Sequence, residues 1–330
     1  PRFGPQGQWQ RARAHTAGRG RPFPVKVVVL AGGTGGAMLA SGFQSMLPAG
    51  DLTVIANTAD DDEFWGLLVS PDVDAVIYRL AGEFNEEAGY GVKGDTFHTL
   101  KALARLGEDA WFRIGDKDFA THLVRTELLQ HGSRLTETAL ELCRRFGIET
   151  AVLPMTDERV RTRFDTDGGV LSFQEYFVRE RLVPALRRID FEGIDSAKPT
   201  PEAEAALAEA DVVVIGPSNP LISIAPILRV LGSHVHRDRT VAISPIVGGV
   251  ALKGPTVAMM RAMGLEASPS AVAKMYAGAA SAFIVDTRDA ALAPAVEALG
   301  CRAIVSDTVM TDGGRGLAAA ILAASPVQQR

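Results

Sequence analysis

The sequence predicts a doubly wound α/β fold: a mainly parallel, Rossmann-like sheet with a helical cap or insertion. Three observations predict it. Seven short apolar runs recur along the chain, helix-length segments separate most of them, and the first run ends in a turn with four glycines. The runs are apolar throughout instead of alternating, as expected of parallel strands covered on both faces. Strand and helix in alternation imply right-handed crossovers around a single sheet.

The runs appear in this order. "VKVVVLA" (Val25–Ala31) leads through "AMLASGFQSML" to "DLTVIANT" (Asp51–Thr58). "ETAVLPM" (Glu149–Met155), "ADVVVIGP" (Ala210–Pro217) and "TVAISPIVGG" (Thr240–Gly249) follow, then "AFIVDT" (Ala282–Thr287) and "CRAIVSDT" (Cys301–Thr308). "PEAEAALAEA" and "DAALAPAVEALG" read as helices between them. Two regions break the rhythm. Asp95 to Phe146 carries apolar residues at helical spacing, and Val160 to Ile194 reads as an irregular strand–helix insertion. They are expected as a helical cap over about 91–147 and an insertion over about 160–195, lying across the strand ends, where open α/β sheets bind ligands. Residues 1–24 are expected to be a disordered basic tail and 25–330 one α/β domain.

Composition narrows the function classes. With 330 residues, 47% hydrophobic and 22% charged, the chain has ample material for a core. Its apolar runs are too short to cross a bilayer, and no apolar segment follows the basic start as in a signal peptide. A cytoplasmic protein without membrane contact is expected. Cys143 and Cys301 form neither a disulfide framework nor a zinc spacing. The net charge is −5, yet residues 1–24 hold five arginines and no acid, so the remainder is near −10. Nothing in the folded part offers the basic stripe that nucleic acid requires.

The glycine turn, "GGTGGA", follows a buried strand and opens a helix. Its Gly33, Thr34, Gly35 and Gly36 present free N–H groups and a partial positive charge, which suits a phosphate. It matches neither G-x-G-x-x-G nor the Walker pattern. A tight strand–helix turn without a ligand is the alternative. The second strand ends at Asn57, followed by Asp60, Asp61 and Asp62 and then by Asp72 and Asp74 in "SPDVD". So many carboxylates beside a phosphate call for a cation, and Mg²⁺ prefers such oxygen ligands. A solvated acidic loop is the alternative. "GVKGDTFHTL" sets Asp95, Thr96 and His98 at a helix start, where Asp95 suits a cap. "WFRIGDKDFATHLVRTELL" sets Arg113, Asp116, Asp118, His122 and Arg125 around another, with His122 and Arg125 sharing a face. Ser218 and Asn219 in "IGPSNPLISIAPIL" and Ser244 in "AISPIVGG" add polar turns at the same sheet edge, suiting a ligand as long as a nucleotide.

Taken together and in order, "GGTGGAMLASGF", "NTADDDEFWGLLVSPDVDAVIYRLAG", "GDTFHTL", "RIGDKDFATHLVRTELL", "VLPMTD", "FQEYFV", "IGPSNPLISIAPIL", "SPIVGG" and a late "DT" resemble the 2-phospho-L-lactate transferase family. That family builds the deazaflavin coenzyme F-420, and its bacterial members use a phosphoenolpyruvyl group. The resemblance runs from about Val25 to the C-terminus. It implies a guanosine diphosphoryl-linked three-carbon acid as donor and 7,8-didemethyl-8-hydroxy-5-deazariboflavin as acceptor. The acceptor's terminal ribityl hydroxyl attacks phosphorus and GMP departs, a reaction that rests on positioning and charge stabilisation.

The resemblance also implies roles. Gly33, Thr34, Gly35 and Gly36 would cradle the diphosphate, with Asn57, Ser218, Asn219 and Ser244 lining the nucleotide site. Asp61 and Asp74, with Asp60 behind them, would hold Mg²⁺, and Asp74 would also accept a hydrogen bond from the attacking hydroxyl. Asp74 and Arg113 would contact the deazaflavin. His98, His122 and Arg125 would donate to the three-carbon acid. A homodimer is implied as well. Where many relatives read "NTGDD" or "NTAED", this chain has "NTADDD", which leaves open which aspartate meets the metal. The alternative is a non-catalytic nucleotide- or nucleotide-sugar-binding regulator of the gluconeogenesis-factor type, which shares the glycine turn but lacks "GDTFHTL". A dinucleotide oxidoreductase is disfavoured, because the first turn lacks its fingerprint.

Overall fold

A computed structural model describes residues 25–251 and 254–325; the basic tail, residues 1–24, lies outside the described residues. Strand β1 (Val27–Ala31) turns into helix α1 (Gly33–Gln44), then β2 (Leu52–Ala56) and a small hairpin of β3 (Asp62–Phe64) and β4 (Leu67–Val69). Helices α2 (Pro71–Leu80), α3 (His98–Arg105), α4 (Asp116–Gln130) and α5 (Leu135–Arg145) follow, then β5 (Ala151–Pro154). β6 (Arg161–Thr166), β7 (Gly169–Ser172) and β8 (Leu186–Glu192) form a separate antiparallel sheet, with a π-helical turn at Glu175–Arg179 between the last two.

The remainder restores the strand–helix rhythm. It comprises α6 (Pro201–Glu209), β9 (Val212–Ile215), α7 (Ala225–Leu231), β10 (Thr240–Ile243), a hairpin of β11 (Ile246–Val247) and β12 (Val250–Ala251), α8 (Thr256–Ala262), α9 (Pro269–Tyr276), β13 (Ala282–Asp286), α10 (Ala293–Glu297), β14 (Arg302–Ser306) and α11 (Arg315–Ala324). The seven apolar runs of the sequence supply the seven strands of one all-parallel sheet, ordered β14-β13-β10-β9-β1-β2-β5. Each strand is shorter than its run; β2, β9 and β14 stop where the turn-forming Asn57, Gly216 and Asp307 take over. The "PIVGG" half of the fifth run makes the β11–β12 hairpin instead.

Both sheet faces are covered, and β1 shows how. Val27, Val29 and Ala31 pack in one layer with Leu39 of α1, Val76 of α2, Leu142 of α5 and Leu317 of α11. Val28 and Leu30 pack in the other with Leu207 of α6, Ile227 of α7 and Val272 of α9. Burying each such side chain contributes about 1.5–3 kcal/mol, which is why the strands read as unbroken apolar runs.

Two details position the site. The chain builds β1, β2 and β5 in one direction and β9, β10, β13 and β14 in the other, so the strand order reverses between β1 and β9. Turns leaving adjacent strands at such a reversal diverge and open a crevice. Behind the crevice, α1 is pressed against the start of α11. A Cβ on Gly42 would come within 2.3 Å of the Gly314 carbonyl oxygen, and Gly314 itself sits at φ +87°.

Of the helices within 91–147, α5 lies on β5 and supplies core residues, whereas α3 and α4 are joined by reciprocal caps. Asp95, ahead of α3, accepts from the α4 backbone N–H groups of Lys117 (2.9 Å) and Asp118 (3.1 Å). Asp116 of α4 accepts from those of His98 (2.9 Å) and Thr99 (2.8 Å) at the start of α3. The two "GD" dipeptides of the sequence are therefore one structural device, and Asp95 caps the helix it does not precede. Among the described residues no helix is long and apolar enough to cross a membrane.

Candidate active site at the switch point

The glycine turn fills the crevice between β1 and β9. Helix α1 starts at Gly33 with no side-chain cap, so the first-turn N–H groups that lack helical partners are available to a ligand. They border a cavity of about 330 Å³, lined also by Asp60, Asp72, Ser218 and Asn219. Packing explains part of the glycine content. A Cβ on Gly35 would lie 2.5 Å from the Pro217 carbonyl oxygen, and one on Gly36 would lie 2.6 Å from the Ala31 Cβ. Gly33 has φ +63° and needs glycine for conformation. Gly35→Ala is therefore expected to force the β1 and β9 turns apart, costing about 1–3 kcal/mol. Thermal melting should show the lower stability.

Ser218 ties the two turns, its Oγ accepting from the Gly32 N–H at 3.0 Å. Asn219 borders the cavity while its Oδ1 accepts from the Leu221 N–H at 2.9 Å. Ser244 does not reach the cavity. It is buried, and its Oγ donates to the Ile246 carbonyl at 2.8 Å and accepts from the Ile246 N–H at 3.1 Å. Its place in the lining is taken by Pro245.

Two carboxylates face the glycine turn, Asp60 and Asp72. Asn57 Nδ2 donates to both, at 3.1 Å to Asp60 and 2.9 Å to Asp72, and Thr162 Oγ1 donates to Asp60 at 2.8 Å. Neither forms an ion pair with a cationic side chain among the described residues. Burial raises both carboxyls, Asp60 well above the usual range with the Asp72 charge adding to the rise, and Asp72 to about 6. A linked pair of buried, charge-poor oxygens suits a hard divalent cation.

Asp61 and Asp74, the expected metal ligands together with Asp60, do not line this first cavity. Asp60 and Asp61 line different cavities, Asp61 facing a third one while its Oδ1 accepts from Ser70 Oγ at 2.7 Å. Its carboxyl is raised to about 7, chiefly by burial. Asp72 and Asp74, two apart on α2, likewise diverge by about 200° around the axis.

Asp74 belongs to a second cavity of about 470 Å³ that shares Gly33, Thr34, Asp72, Phe173 and Phe177 with the first. Beneath it lies a buried polar network. Arg125 binds Asp74 through both terminal nitrogens, one at 3.1 Å, and its Nη1 also donates to His122 Nδ1 at 3.1 Å. Because a guanidinium only donates, that ring nitrogen accepts and the proton sits on Nε2, which is 3.3 Å from Asp118 Oδ1. Tyr78 donates to the same Asp118 oxygen at 2.6 Å. Asp74, Asp118 and His122 converge closely enough to ligate an ion, but Arg125 and Tyr78 already engage both carboxylates.

Arg125 is thus 1% exposed, bonded to Asp74, and lines neither of these two cavities. His98 is exposed at the start of α3 and lines neither cavity. Arg113 does line the second cavity, exposed and stacked 4.5 Å over the Phe97 ring. The first cavity thus gathers Gly33, Thr34, Gly35, Asp60, Ser218 and Asn219, and the second Asp74, Arg113 and His122. Sequence reasoning passed over Asp72 as a site residue, and with it Phe173 and Phe177, whose rings lie 5.6 Å apart and border both cavities. Helical phase within "SPDVD" was the available signal for Asp72.

Comparison with known proteins fits this site. The family described as 2-phospho-L-lactate transferase CofD matches residues 27–310. The chain is 38% identical over 287 residues to a 2-phospho-L-lactate transferase of Methanosarcina acetivorans, covering 86% of this chain and 94% of that one. It is 42% identical over 299 residues to a phosphoenolpyruvate transferase of Streptomyces avermitilis, covering 87% and 93%. A crystal structure of a UPF0052-family protein from Bacillus halodurans superposes with a TM-score of 0.58 at 18% identity, covering 92% of this chain and all of that one, a likeness of fold. With its glycine turn at the switch point and two cavities meeting there, the chain belongs to the 2-phospho-L-lactate transferase CofD family and is a transferase.

Proposed function

We propose that the protein moves a phospho-three-carbon-acid group, phosphoenolpyruvyl or 2-phospholactyl, within coenzyme F-420 biosynthesis. The donor is the guanosine diphosphoryl-activated acid, and the acceptor is the ribityl hydroxyl of 7,8-didemethyl-8-hydroxy-5-deazariboflavin. The hydroxyl oxygen forms a bond to the phosphorus bearing the acid, the bond from that phosphorus to GMP breaks, and the hydroxyl proton leaves to solvent. The observation that carries this reading is the wall of Gly33, Thr34 and Asp72 common to both cavities. A diphosphate on the α1 N-terminus would meet, across that wall, an alcohol held in the other chamber.

In this scheme the α1 N–H groups hold donor phosphates, and Ser218 keeps the opposing turn in place. Asp60 and Asp72, bridged by the Asn57 amide, are the residues that fit Mg²⁺, which when bound would neutralise phosphate charge and favour departure of GMP. Phe112, Tyr90 and Arg113 line the acceptor chamber, giving aromatic faces and one cation to a flat heteroaromatic ring. No nucleophilic side chain is required.

The test is to incubate the protein with deazaflavin, Mg²⁺ and guanylylated phosphoenolpyruvate and to follow GMP. Arg113→Ala is expected to raise the KM for deazaflavin about tenfold while leaving kcat and donor affinity nearly unchanged. Tight nucleotide binding without GMP release would instead favour a regulator.

A further inference from the structure

The third cavity lies across the 58–62 turn from the active site. It measures about 560 Å³ and is walled by the β3–β4 hairpin, the end of α4 and the 157–161 loop. From its geometry we propose that it is a second ligand site, which takes a small molecule through one oxyanion group, a carboxylate or a phosphoryl.

Arg161 carries the case. Its side chain lines the cavity and the residue is 7% exposed, yet its one hydrogen bond among the described residues runs from Nη1 to the neighbouring Val160 carbonyl at 2.8 Å. Nε is buried without a partner, and the guanidinium forms no ion pair among the described residues. Buried guanidinium donors left without partners are costly, and the planar fork matches carboxylate and phosphate oxygens. Thr58 lines the same cavity, 1% exposed, and its hydroxyl also has no partner among the described residues.

Nearby carboxylates are occupied. Asp61 accepts from Ser70, Asp157 from Arg134 and from the Thr136 N–H, and Glu158 from Thr156. Arg159, also in the lining, is exposed and without an ion pair among the described residues, and Asp61 is the carboxylate whose charge acts most strongly on Arg161. Exposed Glu63 and Glu158 border the cavity and disfavour polyanions, which selects a single oxyanion group.

The site is joined to the active centre by one turn. Thr162, next to Arg161, donates its hydroxyl to Asp60 and its N–H to the Ala59 carbonyl at 2.6 Å. An anion on Arg161 and a cation on Asp60 would thus hold opposite sides of Thr58–Asp61.

Crystals soaked in selenate locate the site directly. An anomalous peak beside Arg161 is expected in the wild type and is lost in Arg161→Gln, whatever occupies the glycine turn. In solution, phosphate and acetate should raise the wild-type melting temperature by about 2 °C more than that of Arg161→Gln. The isosteric Thr58→Val serves if that variant does not fold. A larger rise with phosphate assigns a phosphoryl ligand, and one with acetate a carboxylate. A wild-type crystal with no peak at Arg161, or equal melting shifts in wild type and variants, would overturn the proposal. Because neither readout uses turnover, failure of this site leaves the transferase reading intact.

Discussion

Replacing Asp72 with Asn is expected to cut turnover by about 100- to 1000-fold and at the same time to raise the melting temperature of the metal-free protein. The reason lies in the pair it breaks. Asp60 and Asp72 are both buried, share the Asn57 amide as a common donor and have no cationic partner among the described residues. Burial lifts the Asp72 carboxyl from 3.8 to about 6. Its contribution to stability is therefore present below pH 3.8 and lost as pH rises through about 6. At neutral pH the ionised group costs about 3 kcal/mol, which Asn does not incur. The stability advantage of Asp72→Asn should vanish in acid, and added Mg²⁺ should stabilise the wild type alone. Melting curves against pH and Mg²⁺ check both. Equal Mg²⁺ stabilisation of the variant would show that the cation sits elsewhere.

Removing Arg125 acts in the opposite direction on stability. Arg125→Ala leaves the buried Asp74 carboxyl without its guanidinium partner, a loss of about 3–5 kcal/mol and on the order of 10 °C in melting temperature. Arg125 touches neither proposed substrate, so its effect on turnover passes through the floor of the acceptor chamber. Combining Arg125→Met with Asp74→Asn removes both charges and should recover most of the melting temperature without recovering activity. A double-mutant cycle measures the coupling. Additive losses would mean that the pair is not an energetic unit.

The α/β layering was legible because parallel strands covered on both faces write themselves as unbroken apolar runs, and all seven runs became sheet strands. The glycine turn was legible for the same reason: a strand that ends in glycine and continues as helix has few alternatives. What the sequence withheld was direction. "DDD" and "SPDVD" announce carboxylates, but whether Asp60 or Asp61, Asp72 or Asp74, meets the crevice depends on a backbone phase that composition does not encode. The Asp74–Arg125 pair was hidden similarly, since 51 positions separate its members. Glycine density overstated the ligand signal, because Gly35 and Gly36 are also demanded by contact with Pro217 and Ala31.

The abutment of Gly42 on the Gly314 carbonyl gives the chain's late segment a share in the chemistry. A rigid rod is aimed by whatever braces its rear, and here the brace arrives with α11, about 270 positions further along the chain. Any side chain at that joint would tilt the rod and sweep its anion-facing tip sideways, without altering a single atom in the crevice.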